Sequence, residues 1–169
     1  MVRPESVLVS FDTVRDKNVE QLRKLNMAIF PVKYQDKFYT DALSSGDFTK
    51  LAYYGDLCVG SLACRLEKKE GSTGVRLYIM TLGVLAPYRR IGIGSKLLRK
   101  TLEQCKEDPN IVEVYLHVQT NNDEAIEFYK KYDFEITDTI QNYYKRLEPP
   151  DCYVLSKTLV PGGKAKAAQ

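Results

Sequence analysis

The segment VLAPYRRIGIGSK, residues 84–96, has the residue types of an anion-binding turn. It follows a run of strand-forming residues, and it leads into a helical pattern through Gly92 and Gly94. Glycine lets the backbone approach a ligand closely, and the first amides of a helix point outward at its positive end. Arg89 and Arg90 add positive charge beside them. This combination suits a pyrophosphate, although glycines alone also fit an ordinary strand-to-helix turn.

The order of residues in this turn excludes two common phosphate-binding motifs. A P-loop requires GxxxxGK[ST], whereas here the lysine follows Gly94 and Ser95 directly. A dinucleotide-binding turn requires GxGxxG, whereas here the GxG pair is followed by SKLL. The pattern that remains is R-x-x-G-x-G, which runs from Arg89 to Gly94.

The second candidate for chemistry is His117, the one histidine of the chain, in the alternating segment VEVYLHV. A lone histidine in a strand is more often structural than catalytic. Alternation places Tyr115 and His117 on one face of their strand. In the segment VRLYIMTLGVL it places Tyr78, Met80 and Leu82 on one face as well. If the two strands are neighbours, Tyr78 and His117 can face one cleft, where imidazole, with a pKa of about 6.5, would suit an α-amine as a base.

Composition limits the class of protein. The chain has 169 residues and a net charge of +3, and a duplex-binding protein is usually more basic, so no direct DNA binding is expected. The four cysteines form no CxxC pair, which indicates neither a zinc site nor a disulfide framework. No apolar run approaches the roughly 20 residues of a membrane span, and the first residues lack a secretory signal pattern. We therefore expect a cytoplasmic protein with access to the nucleus and no membrane association.

Hydrophobic periodicity and turn residues predict the elements that position these groups. Strands are predicted at residues 7–11, in a hairpin over 51–67, and at 75–85, 112–118, 134–138 and 152–159. Helices are predicted over 17–28 with Asp16 as N-cap, over 36–46 and 93–105, and over 122–132 with Asn121 or Asn122 as N-cap. Two central strand–helix–strand units predict an α/β fold in which helices cover a mixed sheet.

Several motifs together resemble a known family. R-x-x-G-x-G resembles the acyl-CoA signature of the GNAT superfamily of N-acetyltransferases, and EAIEFYKKYDFE resembles its second signature. With FPVKY, RLYIMTLGVLAPYRRIGIG, YLHVQTNNDEAIEFY and NYYKR, the chain up to about residue 159 is most similar to NatE-type N-terminal acetyltransferase catalytic subunits. One departure is Asp133, where the superfamily usually has glycine. Because aspartate tolerates a left-handed backbone better than most residues, the expected penalty is modest.

The resemblance implies a fold and a co-substrate. The GNAT fold has a central, mixed and mostly antiparallel sheet of about seven strands, about four flanking helices, and a CoA cleft between two splayed parallel strands. It would occupy residues 1–160 as one domain, followed by a basic tail at 161–169 that is expected to be disordered. Acetyl-CoA is the implied co-substrate, and no metal is implied. The implied cofactor-binding residues are Leu82, Gly83, Val84, Arg89, Arg90, Gly92, Ile93, Gly94, Ser95, Asn122 and Tyr129.

The resemblance also implies catalytic roles. Tyr78 and His117 would hold a water and relay the proton of the attacking amine. Tyr129 would lie near the CoA sulfur and orient it or protonate the leaving thiolate. The alternative for Tyr129 is a core aromatic, and Phe128 is expected to be its buried neighbour.

The implied substrate-binding residues surround the first side chain of a peptide and its backbone. An apolar wall suits methionine, and phenol hydroxyls can bond to peptide amides and carbonyls. The alternative for NYYKR is a surface hairpin with exposed aromatics. These residues are Phe30, Pro31, Val32, Tyr34, Met80, Tyr143 and Tyr144.

The resemblance therefore predicts an N-terminal acetyltransferase that acts on an initiator methionine followed by a hydrophobic residue. Its implied partners are the auxiliary subunit of the NatA complex and the ribosome. One alternative is a lysine or small-amine acetyltransferase on the same fold, but the central strand RLYIMTLGV offers no carboxylate base. The other is a weakly active CoA-binding scaffold subunit of a ribosome-associated complex.

Overall fold

A computed structural model describes residues 8–159 of the chain. In this range, seven strands and four α-helices follow one another in the predicted order, with short 3-10 helices at Gly46–Phe48 and Ala86–Tyr88. The strands are β1 (Val9–Thr13), β2 (Lys50–Tyr54), β3 (Leu57–Lys68), β4 (Val75–Val84), β5 (Ile111–Gln119), β6 (Glu135–Ile140) and β7 (Cys152–Thr158). The helices are α1 (Val19–Ile29), α2 (Asp36–Ser44), α3 (Ile93–Glu107) and α4 (Asp123–Lys130). The predicted tail at 161–169 lies outside the described residues.

The strands form one mixed sheet in the order β1-β2-β3-β4-β5-β7-β6. β1 with β2, β2 with β3, β5 with β7 and β6 with β7 are antiparallel pairs. β4 and β5 run parallel, with Val75–Tyr78 paired to Ile111–Tyr115. The predicted mixed, mostly antiparallel sheet of seven strands with four helices is confirmed, and so is the pairing of the strands that carry Tyr78 and His117.

The described residues divide into two compact units, and the first contains residues 8–66 together with 79–108. Leu22 and Leu25 lie at helical spacing on α1 and are buried in the core of the first unit. The same core contains Tyr39 of α2 and Leu51 of β2. The predicted N-cap Asp16 is wrong, because α1 begins after Asn18. The Asn18 side chain accepts a hydrogen bond from the Arg15 amide at 2.7 Å and donates to the Thr13 carbonyl at 2.9 Å. These bonds tie the helix start to the end of β1.

The second unit contains residues 67–78 and 109–159. β5 lies at its centre, between the first residues of β4 and β7. α3, which belongs to the first unit, ends as predicted ahead of Pro109, with Asp108 as its C-cap in extended conformation. α4 follows β5 and has Asn122 as its N-cap, whose Oδ1 accepts from the Ala125 amide at 3.1 Å. Of the two predicted caps, Asn122 is the correct one.

All four cysteines lie within the described residues, where each is a buried free thiol. Burial raises the pKa of Cys58 to about 11 and that of Cys105 to about 12, and it raises the pKa of Cys64 further still. The thiols are therefore uncharged at neutral pH. Within residues 8–159, none of the helices combines the length and the apolar character needed to cross a membrane.

Candidate active site

The predicted anion-binding turn forms the N-terminus of α3, a helix of 15 residues. Gly92 is its N-cap with φ 87°, a left-handed conformation that glycine adopts without strain. The first turn contains no acidic residue, and among the described residues no side chain caps it. The amides of Ile93, Gly94 and Ser95 therefore open the helix at the positive end of its dipole. The structure brings these residues together with Arg89 and Arg90, as the motif required.

The surface above these amides is open. A Cβ at Gly92 would meet no atom of residues 8–159 within 4 Å, and one at Gly94 would meet the Val84 side chain alone, at 4.0 Å. Arg89 is exposed, and its Nε donates to the Val84 carbonyl at 2.8 Å, which fixes the guanidinium beside the turn. Arg90 also has a positive φ, 70°. The turn thus has the space, the donors and the charge to hold the pyrophosphate of a CoA ester.

The last residues of β4 carry backbone groups suited to an extended ligand. The Leu85 amide donates to the Val59 carbonyl of β3 at 2.8 Å. Because backbone groups alternate in direction along a strand, the amides of Leu82 and Val84 point away from β3. This is the orientation that pairing with the amides of a pantetheine arm would need.

Gly83 belongs to the same segment, and its small size has a packing reason. A Cβ there would lie 2.8 Å from Cζ of Phe30 and 3.2 Å from Cγ2 of Ile29. The Phe30 ring therefore rests directly on the β4 backbone. Its predicted role in cofactor binding stays a prediction, while the structure shows that it accommodates Phe30.

Two of the predicted substrate-wall residues, Phe30 and Tyr34, lie in the loop between α1 and α2, and a third, Met80, lies on β4. The Tyr34 ring stacks on Phe38 at 4.5 Å and meets Phe30 edge-on at 6.2 Å. Met80 of β4 and Tyr34 both pack against the core of the first unit. Burial, with a smaller effect of nearby Tyr39, raises the pKa of the Tyr34 phenol, so this hydroxyl stays neutral.

Pro31 and Val32 lie on the same loop but are exposed, with 54% of Val32 accessible. The described residues therefore leave these two side chains uncovered, which is the condition for contact with a peptide.

In the second unit, Tyr78 of β4 and His117 of β5 are in direct contact. The Tyr78 hydroxyl lies 2.9 Å from Nδ1 of His117, and the two rings are 5.2 Å apart at 64°. Both side chains are partly buried. Alternation along the paired strands positions them, since Leu77 and Ile79 on the opposite face of β4 are buried. A phenol bonded to an imidazole can pass a proton between them or to a bound water.

Tyr143 also contacts His117, which sequence reasoning missed. Its hydroxyl lies 3.2 Å from the same Nδ1, and its ring is 4.7 Å from the imidazole. The side chain is 39% exposed, and Tyr144 meets it edge-on at 4.9 Å. The Tyr144 amide donates to the Pro150 carbonyl at 2.8 Å, which closes the loop between β6 and β7. No periodic pattern connects residues of this loop to β5, so the contact had no sequence signal.

Tyr129 lies on the inner face of α4 and is 7% exposed, whereas Phe128 is only half-buried. The expectation that Phe128 is the buried neighbour is wrong, because helical spacing turns Ile126 and Tyr129 inward together. The Tyr129 ring meets Phe134 edge-on at 5.4 Å. Asp133, at the end of this helix, has φ 69°, which is the left-handed conformation expected where the superfamily usually has glycine.

Comparison with known proteins agrees with this arrangement. Residues 19–134 match the acetyltransferase (GNAT) family. N-alpha-acetyltransferase 50 of Danio rerio is 50% identical over 151 residues, which are 89% of each chain. The probable N-acetyltransferase san of Drosophila melanogaster is 51% identical over 151 residues, 89% of this chain and 81% of that one. The structure of Arabidopsis thaliana Naa50 in complex with the bisubstrate analogue CoA-Ac-MVNAL superposes on this chain with a TM-score of 0.83. The two chains are 65% identical, and the match covers 89% of this chain and 98% of the Arabidopsis chain.

Proposed function

Because this chain belongs to the acetyltransferase (GNAT) family, we propose that it is an N-alpha-acetyltransferase that moves the acetyl group of acetyl-CoA to the α-amine of a protein N-terminus. The observation that carries the proposal is the contact between the Tyr78 hydroxyl and His117 Nδ1 at 2.9 Å. It places an imidazole, a side chain whose ordinary pKa is about 6.5, beside a phenol in a chain whose relatives are N-alpha-acetyltransferases. The acetyl-CoA requirement is supported by the open N-terminus of α3 and by the CoA moiety of the Arabidopsis ligand.

In this reaction acetyl-CoA, when bound, supplies an activated acetyl group as a thioester. The amides of Ile93, Gly94 and Ser95, with Arg89 and Arg90, bind its phosphates. The Leu82 and Val84 amides pair with its pantetheine arm, and one of them polarises the thioester carbonyl. These groups orient the acetyl carbon for direct attack by the amine.

Tyr78 and His117 remove the proton of the attacking amine. An α-amine has a pKa of about 8, so a base near neutrality suffices, whereas a lysine amine near 10.4 would need a stronger perturbation. Tyr78 and His117 accept the proton through a water. Tyr129 orients the CoA sulfur or donates a proton to the departing thiolate.

The substrate is an initiator methionine followed by a hydrophobic residue. Phe30 and Tyr34, which meet edge-on, would surround the methionine side chain together with Met80, which packs against the same core as Tyr34. The exposed Pro31 and Val32 lie on the loop that carries Phe30 and Tyr34. Tyr143 and Tyr144 would bond to the peptide backbone. The peptide of the Arabidopsis bisubstrate analogue, MVNAL, has methionine followed by valine, which supports this preference.

The resemblance also supports a place beside the NatA auxiliary subunit at the ribosome. In that setting the protein would act on nascent chains in the cytoplasm, with access to the nucleus. Co-purification of ribosomes and the auxiliary subunit with the tagged chain tests this. Recovery of the tagged chain without either of them would contradict it.

The activity is tested with two peptides and two variants. A free peptide beginning Met-Leu should be acetylated, whereas a peptide with a blocked N-terminus and one internal lysine should not. Tyr78→Phe and His117→Ala should each lower kcat by about a hundredfold, because general-base catalysis contributes about 10²–10⁴. Tyr132→Phe, a phenol removed outside these contacts, is the control and should leave kcat unchanged. Near-normal kcat in both site variants would refute the relay, and activity on lysine alone would refute the α-amine assignment.

A further inference from the structure

Tyr115 contacts both residues of the proposed proton relay. It lies opposite Tyr78 in the parallel pairing of β4 and β5, and it is 8% exposed. Its ring stacks on the Tyr78 ring at 4.8 Å with an interplanar angle of 27°. It also meets the His117 ring edge-on at 5.9 Å and 86°. Any movement of the Tyr115 ring therefore moves the surface against which Tyr78 and His117 are packed.

The other face of the Tyr115 ring is covered by a cation. The Arg76 guanidinium carbon lies 3.8 Å from the ring centroid. A guanidinium at this distance and a stacked phenol cannot share one face of a ring, so Tyr115 is held between Arg76 and Tyr78. Arg76 is itself held by an ion pair, because its Nε lies 3.1 Å from Glu113 Oε1. The same carboxylate oxygen accepts a hydrogen bond from Lys69 Nζ at 2.9 Å. A cation over an aromatic face adds to the packing energy of the ring.

The hydroxyl of Tyr115 is fixed as well. It donates to Oε1 of Glu67 at 2.5 Å, at the end of β3. The Tyr78 hydroxyl is instead directed at His117. The two stacked phenols thus have separate acceptors, and Glu67 holds the inner ring in place while the outer one contacts the imidazole.

We propose that Tyr115, anchored by Glu67, is a positioning residue that holds the Tyr78 hydroxyl against His117 for proton transfer. The inference rests on the proposed function, in which Tyr78 and His117 take the proton of the amine. Tyr115 acts through Tyr78 and His117. Removal of its anchor should therefore lower the rate of the chemical step and leave the binding of both substrates intact. Because a misplacement of about 1 Å can cost on the order of a hundredfold in rate, a loosened phenol is expected to cost about tenfold.

Three single-site variants, one double variant and one control variant of the tag-free chain test this with the Met-Leu peptide. Tyr115→Phe keeps the ring and removes the anchored hydroxyl, and Glu67→Leu removes the acceptor. Each of these two variants should lower kcat about tenfold. The KM values for the peptide and for acetyl-CoA should change less than twofold. Glu67→Gln keeps an acceptor oxygen and should retain kcat within about twofold. The double variant Tyr115→Phe/Glu67→Leu should be no slower than either single variant, because the two changes remove one interaction. Tyr132→Phe is again the control for loss of a phenol.

A spectroscopic measurement reports the position directly. His117 is the one histidine in the sequence, so the protein gives a single imidazole Cε1–H resonance in a proton–carbon NMR spectrum. In the parent protein, this proton is expected to show contacts to the rings of Tyr78 and Tyr115. In Tyr115→Phe and Glu67→Leu the resonance should shift or broaden, and in Glu67→Gln and Tyr132→Phe it should not.

The outcomes separate the two proposals. If the parent protein does not acetylate the Met-Leu peptide, the proposed function fails. If the parent is active and Tyr115→Phe keeps its kcat and its His117 resonance, the function stands and the positioning role is refuted. Two further results would overturn the role assigned to this hydrogen bond. The first is a rise in KM with kcat unchanged in Tyr115→Phe or Glu67→Leu. The second is a loss of kcat in Glu67→Gln equal to that in Glu67→Leu.

Discussion

Replacing Gly94 by alanine should separate the stability of the protein from its affinity for acetyl-CoA. Gly94 is the second residue of α3, and the one described atom within 4 Å of an added Cβ is Val84 Cγ2, at 4.0 Å. That distance is an ordinary van der Waals contact, so the methyl group causes no internal clash. Alanine is preferred to glycine within a helix by up to about 1 kcal/mol. For a chain of this size, that gain corresponds to a rise in Tm of about 2–4 °C.

The effect on the ligand has the opposite sign. The same methyl group would stand on the open surface above the first amides of α3, where a phosphate must approach to about 2.9 Å to accept their hydrogen bonds. A hydrogen bond to a charged group contributes about 1.5–3 kcal/mol, and loss of one such bond corresponds to at least a tenfold weaker affinity. Gly94→Ala should therefore raise the Kd for acetyl-CoA about tenfold or more.

Thermal unfolding without ligand and calorimetric titration with acetyl-CoA measure the two effects on the same samples. Glu103→Ala, an exposed change on the same helix away from its N-terminus, is the matched control and should leave the Kd unchanged. An unchanged Kd in Gly94→Ala would refute the placement of the phosphates at this helix end. A fall in Tm would contradict the packing argument at Val84.

Three further predictions concern other contacts. Gly83→Ala puts a Cβ 2.8 Å from Cζ of Phe30, so it should destabilise the protein by about 1–3 kcal/mol and raise the KM for the peptide; an unchanged urea midpoint would contradict this. Asn122→Ala removes the bond to the Ala125 amide and should lower the free energy of unfolding by about 1 kcal/mol, whereas Asn121→Ala, measured alongside, should have a smaller effect. Because burial raises the thiol pKa values above the ordinary value of about 9, the unfolded state loses thiol protons first, so stability should fall as pH rises above 9. Iodoacetamide at pH 8 should modify the native thiols far more slowly than the denatured ones, and equal rates would contradict the burial.

Much of the fold was predictable because its elements carry strong local signals. The alternation of β4 and the helical spacing of α1 identify buried faces, and the turn at Gly55-Asp56 separates β2 from β3. The N-cap of α1 was mispredicted because Asp16 and Asn18 are both good capping residues. The choice between them depends on a bond from the Asn18 side chain back to β1, which no local pattern specifies.

In the candidate site too, features with a local sequence signal were predictable and features without one were not. The turn from Arg89 to Ser95 was predictable because a short motif of nearly consecutive residues specifies it. Contacts between side chains from distant segments were harder to predict from the sequence. Tyr143 reaches His117 from a loop, and Glu67 bonds to Tyr115 across 48 positions of sequence. Such pairs depend on strand register and loop course, which a single sequence does not encode in its periodicity.

The shared nitrogen of His117 has a consequence for how a peptide enters. In the tautomer that carries its proton on Nε2, Nδ1 has one lone pair, so it accepts from one of the two phenols, at 2.9 and 3.2 Å, at any moment. If Tyr143 turns to a peptide backbone, as proposed above, Tyr78 can keep this acceptor satisfied, so the nitrogen retains a hydrogen bond. After Nδ1 gains a proton it becomes a donor, and either phenol oxygen can accept from it without moving. One arrangement of the Tyr78, His117 and Tyr143 side chains therefore serves the imidazole both before and after it gains a proton. Movement of Tyr143 toward a substrate leaves the hydrogen bond between Tyr78 and Nδ1 in place.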